Sequence, residues 1–179
     1  MLDIGGGTGA FPVALCRRHP HLRATVLDLP RVAAMAREKM AGLGLSEVIE
    51  ARDGDFLHDE RLPDGHDVIL LSMILHDWDQ ETGRKLLGKC FAALPPGGAV
   101  IICELLVLDD DERGPAPAAL MGLNMLVETR SGHNYTYAEY RGRPTPDSGR
   151  SRSCRWTRRA RMPHLSPASR TEFEKVPGA

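Results

Sequence analysis

The sequence lacks the features that mark membrane-spanning proteins, secreted proteins and proteins stabilised by a structural metal ion. No apolar run approaches the roughly 20 residues that a membrane-spanning helix requires, and the first ten residues have no basic flank or leader-like apolar stretch. Its four cysteines, Cys16, Cys90, Cys103 and Cys154, are widely spaced and form no CxxC pair. This spacing argues against a metal site and against a disulfide framework. We therefore expect a cytoplasmic protein with no metal and no membrane partner.

Charge is distributed unevenly along the chain, although the net charge is only −1. The 179 residues correspond to about one domain, with a hydrophobic content of 42% that is ordinary for a globular protein. Residues 1–142 carry 14 basic and 21 acidic side chains, whereas residues 143–179 carry 9 basic and 3 acidic ones. We predict one domain over 1–142 and a disordered Arg/Ser/Pro-rich tail over 143–179. Without aromatic interleaving, this basic tail gives little support for a nucleic-acid partner.

Short apolar stretches alternate with helix-forming stretches along residues 1–142. The alternation predicts the order β-α-β-α-β-β-α-β, with a third crossover too short in sequence for a helix. The almost entirely apolar segment 66–75 is typical of a parallel strand covered on both faces. Further helices are predicted from Ala116 to about Thr129 and from Thr136, where Glu139 gives a capping box. We expect an open, mostly parallel α/β sheet whose ligands bind at the carboxyl ends of the strands.

The stretch LDIGGGTGAF, residues 2–11, places Gly5, Gly7 and Gly9 between a predicted strand and a predicted helix. Glycine lets the chain turn sharply and approach a ligand closely, and the N-terminus of the following helix favours an anionic group. Gly5, Gly7 and Ala10 also satisfy the dinucleotide pattern G-x-G-x-x-A, so the loop alone does not separate NAD from another nucleoside cofactor. A tight turn that binds no ligand is the remaining alternative.

Acidic residues stand at the ends of three predicted strands: Asp3, Asp28 and Asp55. A carboxylate at position 28, about twenty residues beyond the loop, can accept hydrogen bonds from both hydroxyls of a ribose. This concentration of negative charge suits a ligand with a sugar and an amine better than a diphosphate, which it would repel. Asp55 has an alternative role as the cap of a turn or a helix.

The stretch LSMILHDWD, residues 71–79, puts His76 directly behind an aliphatic run. An imidazole titrates near neutrality and can take a proton from a hydroxyl group. The alternative is a polar residue at a helix start, with Asp77 or Asp79 as the N-cap. Trp78 is better explained by packing than by chemistry. These nine residues by themselves support the two roles of His76 equally.

Several segments in this order resemble one enzyme family. They are LDIGGGTG, LDLP, GDFL, LSMILHDWD, PPGGAVIICE and LNMLVETRSG followed by a threonine and EY. Together they resemble the S-adenosylmethionine-dependent O-methyltransferases that include the caffeic acid, acetylserotonin and hydroxyneurosporene enzymes. The resemblance covers about residues 1–142. It implies a class I methyltransferase (Rossmann-like) fold and methyl transfer from S-adenosylmethionine to a hydroxyl of a small aromatic, polyketide, indole or carotenoid acceptor.

The resemblance also implies roles for individual residues. His76 is expected to be the general base, and Glu104 is expected to orient it. Asn124 and Met125 are expected to line the acceptor pocket, although a methionine on this helix could equally fill core space. No metal is expected to take part. The residues expected at the cofactor are Asp3, Gly5, Gly7, Gly9, Asp28, Leu29, Asp55, Phe56, Ser72 and Asp77.

The chain departs from the resemblance in three places. Many relatives carry a second glutamate where this chain has Asn134, whose amide cannot take a proton, so His76 is expected to be less well assisted. The family is homodimeric, and its helical dimerisation region precedes the glycine loop, so we expect that region to be missing here. Relatives continue after residue 142 into two final strands, and we interpret the tail as a frameshift product beside an incomplete sheet. The rival hypotheses are a truncated, non-catalytic cofactor-binding fragment and an NAD(P)-dependent oxidoreductase.

Overall fold

The protein, represented here by a computed structural model, is described over residues 1–104, 116–136 and 138–139, and over the backbone of one further strand. A short 3-10 helix covers Leu75–Asp77. The strands are β1 Leu2–Ile4, β2 Ala24–Asp28, β3 Ile49–Asp53, β4 Val68–Ser72, β5 Ala99–Glu104 and β6 Ser153–Arg158. The helices are α1 Ala10–Arg18, α2 Pro30–Gly42, α3 Gln80–Ala93 and α4 Ala116–Glu128. The predicted order β-α-β-α-β-β-α-β is confirmed up to Glu104.

All the strands belong to one parallel sheet in the order β3-β2-β1-β4-β5-β6. The chain runs outward from β1 to β3 and then returns to the other side of β1, so the strand order reverses between β1 and β4. In an open α/β sheet, a crevice forms at such a reversal, beside the carboxyl ends of the strands. The expected ligand edge therefore lies where β1, β2, β4 and β5 end.

Two apolar clusters cover the two faces of the sheet. Alternate residues of a strand point to opposite faces, and Leu27 and Val26 accordingly belong to different clusters. The first cluster joins β1, β4 and β5 to α3, and the second joins β2 and β3 to α1 and α2. Helices thus cover both faces, as predicted for an open α/β sheet. Each fully buried leucine or isoleucine contributes about 1.5–3 kcal/mol to the free energy of folding. This packing holds the strands, and therefore their polar ends, in place.

A strand lies within the basic tail, where the apolar pattern predicts no element. The backbone of β6 pairs with β5 along its whole length, from Ala99↔Ser153 to Glu104↔Arg158. A backbone ladder requires no apolar periodicity, and that periodicity is the signal on which a strand prediction rests. The rest of the tail lies outside the described residues, so its disorder and its origin in a frameshift stay predictions.

The segment after β5 contains the predicted helix and the predicted capping box. The helix expected from Ala116 is α4. The N–H of Thr136 donates to Oε2 of Glu139 at 2.8 Å, and the N–H of Glu139 donates to Oγ1 of Thr136 at 3.1 Å. Most of the helix predicted to follow lies outside the described residues. Four large apolar side chains of α4 are exposed, yet no helix in the described part is long and apolar enough to span a membrane.

The core can be tested with one substitution made at two places. Leu71 in β4 is 0% exposed, whereas Leu126 in α4 is 75% exposed. Leu71→Ala should destabilise the protein by about 2–5 kcal/mol because it removes buried methyl groups and leaves a cavity. Leu126→Ala is the matched control and should change stability by no more than about 0.5 kcal/mol. Urea unfolding followed by circular dichroism measures both, and equal losses would contradict this assignment of the core.

Candidate active site

The loop between β1 and α1 requires glycine for its shape. Gly5, Gly7 and Gly9 have φ angles of 63°, 59° and 73°, a region that other residues rarely adopt. A Cβ at Gly5 would lie 2.5 Å from Cδ1 of Ile74, and one at Gly9 would lie 2.8 Å from Cε of Met40. A Cβ at Gly7 would meet nothing within 4 Å. The loop is therefore packed on one side and has open space at Gly7.

Asp28 holds this loop to the end of β2. Its Oδ2 accepts a hydrogen bond from the N–H of Gly7 at 2.8 Å, and its Oδ1 accepts one from the N–H of Leu29 at 2.8 Å. The side chain is partly exposed. Each carboxylate oxygen has two lone pairs, so both oxygens retain the capacity to accept a further hydrogen bond. Asp28 thus combines a structural role in the loop with open acceptor capacity at the sheet edge.

Asp3 lies against the same loop in an unusual environment. A Cβ at Gly6 would approach Oδ2 of Asp3 to 2.5 Å, so only glycine fits there. Asp3 is 1% exposed, and neither of its oxygens has a hydrogen-bond partner among the described residues. Burial and, secondly, the charge of Asp28 raise the pKa of Asp3 to about 7. An unpaired buried carboxylate is costly, so a ligand that brought a cationic donor to it would be stabilised.

Two other buried polar atoms close to this edge have no partner in the described ranges. They are Oγ of Ser72, at the end of β4, and Nε1 of Trp78. A further such atom, Nδ1 of His66, precedes β4 and lies away from this edge. Unsatisfied buried groups are rare in folded proteins. Their concentration near the reversal of strand order indicates that the edge is built to receive a polar ligand.

Asp55 closes the loop after β3 on itself. Its Oδ1 accepts from the N–H groups of Leu57 and His58 at 3.0 and 3.1 Å, and its Oδ2 lies 2.8 Å from Nδ1 of His58. The His58 side chain, followed by these backbone bonds, holds the pKa of Asp55 below its usual range. The turn cap that the sequence allows for Asp55 is therefore present. A contact of Asp55 with a cofactor stays a prediction.

Phe56 connects the β3 loop to the other parts of the site. Its ring carbon Cε1 would lie 3.4 Å from a Cβ at Gly5, and its ring lies edge-on to Trp78 with centroids 6.4 Å apart. Phe56 and Trp78 both pack against the first core cluster. The structure thus brings the glycine loop, the β3 loop and the segment after β4 together, as their positions at strand ends predict.

His76 and Glu104 form a buried pair where β4 and β5 end. Nδ1 of His76 lies 2.6 Å from Oε2 of Glu104, and the N–H of Leu75 donates to Oε1 at 3.1 Å. Both side chains belong to residues that are 5% exposed. The register Ser72↔Cys103 places the two strand ends side by side. The two residues expected to share the proton chemistry are therefore in direct contact, while their catalytic roles stay a prediction.

Neighbouring carboxylates set the protonation of His76. Burial of the imidazole lowers its pKa, but the hydrogen bond and charge of Glu104, together with the charge of Asp77, outweigh burial. The pKa of His76 therefore lies above its ordinary value. Oδ1 of Asp77 is 3.3 Å from Nε2, and burial raises the pKa of Asp77 itself. Because Nδ1 faces Glu104, Nε2 is the nitrogen left to exchange a proton with a ligand.

The backbone around His76 is fixed by residues that no sequence pattern identifies. Met73 is the one non-glycine residue with a positive φ, 58°, in the described part of the chain. Its N–H donates to the carbonyl of Cys103 at 2.9 Å, which ties the turn after β4 to the strand that carries Glu104. Methionine has no preference for this conformation, so its sequence position carries no signal for the turn.

The segment 132–136 is hydrogen-bonded to the backbone of His76 and Trp78. The N–H of His133 donates to the carbonyl of His76 at 2.8 Å, and the hydroxyl of Tyr135 donates to the carbonyl of Trp78 at 2.5 Å. Asn134, where the resemblance expects a glutamate, is 2% exposed and donates to the carbonyl of Ala118 at 2.6 Å. The amide of Asn134 thus anchors the start of α4.

The two residues predicted to contact the acceptor differ in exposure. Asn124 is exposed on α4, whereas Met125 is 3% exposed and belongs to the interior. Contacts of these two residues with an acceptor stay a prediction.

Asp79 is the N-cap of α3, and its Oδ1 accepts from the N–H of Thr82 at 2.8 Å. This resolves the alternative between Asp77 and Asp79 as the cap. Asp77 instead lies in the 3-10 helix beside His76.

Comparison with known proteins defines the class. Residues 1–145 match the family model described as O-methyltransferase domain. The 3-hydroxy-5-methyl-1-naphthoate 3-O-methyltransferase of Streptomyces sahachiroi is 56% identical over 140 residues, which are 78% of this chain and 40% of that protein. The acetylserotonin O-methyltransferase of Bos taurus is 39% identical over 157 residues, 88% of this chain and 44% of that protein. Human N-acetylserotonin methyltransferase in complex with SAM superposes with a TM-score of 0.72 at 34% identity, covering 80% of this chain and 39% of that chain.

The chain belongs to the S-adenosylmethionine-dependent O-methyltransferase family. It spans about two fifths of the length of the curated relatives it matches. Two matching proteins of the genus Streptomyces are named for reactions other than O-methylation. One is an L-tyrosine C(3)-methyltransferase at 35% identity, and the other is an aclacinomycin 10-hydroxylase at 36% identity. Membership therefore fixes the fold and the cofactor class, and the reaction of this chain has to be supported by its own residues.

The buried carboxylate of Asp3 predicts a pH effect on stability. Its pKa is about 7 in the folded protein against 3.8 as the ordinary value, so the folded state binds this proton more tightly than the unfolded chain does. The resulting stabilisation is complete below the ordinary pKa and is lost as the pH rises through the folded-state value. Asp3→Asn, which stays neutral, should gain stability relative to the wild type between about pH 4 and about pH 8, by up to about 4 kcal/mol.

Urea unfolding at about pH 4 and at about pH 8 measures this difference in stability. Asp64→Asn, at an exposed site, is the control and should follow the wild type at both. A constant offset between Asp3→Asn and the wild type at the two pH values would contradict a titrating Asp3.

Proposed function

We propose that this chain is the cofactor-binding and catalytic part of an enzyme that transfers a methyl group from S-adenosylmethionine to a hydroxyl of a small aromatic acceptor. The observation that carries the proposal is the buried His76–Glu104 pair, whose segment packs against the glycine loop through Ile74. A cofactor-binding function by itself would not require an imidazole held by a buried carboxylate. Family membership supplies the cofactor class, and this pair supplies the reason for expecting proton chemistry.

The residues at the sheet edge fit this cofactor. When bound, S-adenosylmethionine supplies a methyl group made electrophilic by its positively charged sulfur. We assign its ammonium group to Asp3, which is buried without a partner, and its ribose hydroxyls to Asp28. The open side of the glycine loop at Gly7 leaves room for the ligand. The remaining residues assigned to the cofactor site are Gly5, Gly9, Leu29, Asp55, Phe56, Ser72 and Asp77.

His76 is proposed to accept the proton of the acceptor hydroxyl at Nε2. A neutral hydroxyl is a weak nucleophile, whereas a phenolate-like oxygen can attack a methyl group in line with the bond that breaks. Glu104, 2.6 Å from Nδ1, would orient the ring and stabilise the imidazolium that forms. Asp77 adds a second negative charge near Nε2. Because both carboxylates favour the charged imidazole, transfer should become faster as the pH rises through the raised pKa of His76.

The proposed acceptor is a hydroxylated aromatic of the naphthoate or related polyketide type. The support is the 56% identity to a protein named for a 3-hydroxynaphthoate, and the same chemistry would suit indoles and other phenols. We assign Asn124 and Met125 to the acceptor side. A homodimer belongs to the same proposal and is supported by the family resemblance alone, whereas a cytoplasmic location is supported by the widely spaced cysteines.

Methyl transfer to 3-hydroxy-5-methyl-1-naphthoate and a panel of hydroxylated naphthoates and indoles tests this function. His76→Ala should lower the rate about 10²–10⁴-fold because the general base is lost, without loss of S-adenosylhomocysteine binding measured by calorimetry. Glu104→Gln should lower the rate less. His21→Ala, at an exposed histidine, is the control and should transfer at the wild-type rate.

Two results would overturn the proposal in different ways. Equal rates for the wild type and His76→Ala would remove the general base from the mechanism. Binding of S-adenosylhomocysteine without transfer to any member of the panel would favour the non-catalytic, cofactor-binding alternative.

A further inference from the structure

The loop after β3, residues 54–59, is held together by hydrogen bonds between its own residues. The N–H of Asp55 donates to Oδ2 of Asp59 at 2.7 Å, and the N–H of Asp59 donates to the carbonyl of Asp55 at 2.7 Å. The carboxylate of Asp55 takes the N–H groups of Leu57 and His58. Four N–H groups of the loop, those of Asp55, Leu57, His58 and Asp59, are thus satisfied from within the loop, and that of Gly54 donates to the carbonyl of Asp28. Three of its carbonyls require a donor from elsewhere.

Lys89 of α3 supplies that donor. Its Nζ lies 3.1 Å from the carbonyl oxygen of Phe56, 2.7 Å from that of Leu57 and 2.5 Å from that of Asp59. An ammonium group has three N–H donors, so these three acceptors use all of them. The planar fork of an arginine could not point at three carbonyls around one centre. A lysine therefore fits these three carbonyl acceptors, and an arginine of the same charge would not.

Lys89 connects the loop to the segment that carries His76. Lys89 lies on α3, the helix whose N-cap Asp79 follows Trp78, and its neighbours Leu86 and Cys90 are buried in the first core cluster. Phe56, whose carbonyl Lys89 holds, has its ring edge-on to Trp78 and next to Gly5. Loosening the carbonyls of the loop would therefore free the Phe56 ring beside the glycine loop.

We infer that Lys89 is a positioning residue that fixes the loop 54–59 and, through the Phe56 ring, the wall of the proposed cofactor site beside the glycine loop. This inference rests on the proposed cofactor site only for its second half. The fixing of the loop concerns the protein without ligand and can be measured separately. Nζ of Lys89 binds loop carbonyls, so its effect should fall on cofactor binding.

The first measurement needs no ligand. Lys89→Met keeps the apolar stem and removes the three donors, so amide hydrogen exchange at Leu57 and His58 should become at least about tenfold faster, as expected when local protection is lost. Lys85→Met is the matched control, because Lys85 lies one turn earlier on α3 and is exposed, with an ion pair to Glu81 at 2.6 Å. It should leave this exchange unchanged. Unchanged exchange in Lys89→Met would overturn the fixing of the loop.

The second measurement is calorimetric titration of the full chain with S-adenosylhomocysteine. Lys89→Met should weaken binding about tenfold, because the loop and the Phe56 ring must then be ordered when the ligand binds. Lys85→Met should bind with the wild-type affinity. Urea unfolding of the same variants measures their global stability. An unchanged affinity in Lys89→Met, or a loss of affinity that only follows a loss of global stability, would overturn the positioning role.

The outcomes separate this inference from the proposed function. If the wild type does not bind S-adenosylhomocysteine, the proposed cofactor function fails. If the wild type binds and Lys89→Met binds with the same affinity, the inference fails alone. Should Lys89→Met not fold, Lys89→Arg keeps the charge and most of the stem. Weaker binding in that variant supports the inference, and wild-type binding overturns it.

Discussion

The contact between Nδ1 of His76 and Oε2 of Glu104 is the interaction on which the rest of the site depends. A carboxylate or an imidazolium that was buried alone would be strongly destabilising, and the two together offset much of that cost. The pair needs two strand ends at the correct spacing, which the parallel pairing of β4 and β5 provides. It also needs the turn at Met73 and the N–H of Leu75 on the second carboxylate oxygen. The local backbone thus satisfies a constraint set by two buried polar groups.

Negative charge at the same sheet edge gives the site its chemical character. Asp3 and Asp28 flank the glycine loop, and Asp77 lies beside His76. An edge of this kind suits a ligand that carries positive charge, and a sulfonium cofactor with an ammonium group carries two. Glu104 and, secondly, Asp77 raise the pKa of His76. The edge that suits the cofactor therefore also favours the protonated form of the group proposed to accept the proton.

The sequence predicts the part of this structure that depends on periodicity and on strand ends. Alternating segments give the element order, and residues that end successive parallel strands must meet, which is why His76 and Glu104 could be placed together. The sequence does not predict interactions that depend on backbone geometry. The left-handed turn at Met73, the closure of the β3 loop by Asp55 and His58, and the three carbonyls held by Lys89 leave no periodic signal. The strand β6 was missed for the same reason, because its backbone pairs with β5 without an apolar pattern.

Glu104 is proposed to orient the His76 ring and to favour the charged imidazole that forms when His76 accepts a proton. Nuclear magnetic resonance of the imidazole nitrogens of His76 across a pH titration measures this directly. The structure predicts a pKa above the ordinary 6.5 in the wild type and a lower pKa in Glu104→Gln. It also predicts that neutral His76 carries its proton on Nδ1, towards Glu104. An unchanged pKa in Glu104→Gln, or a neutral form protonated on Nε2, would contradict the account.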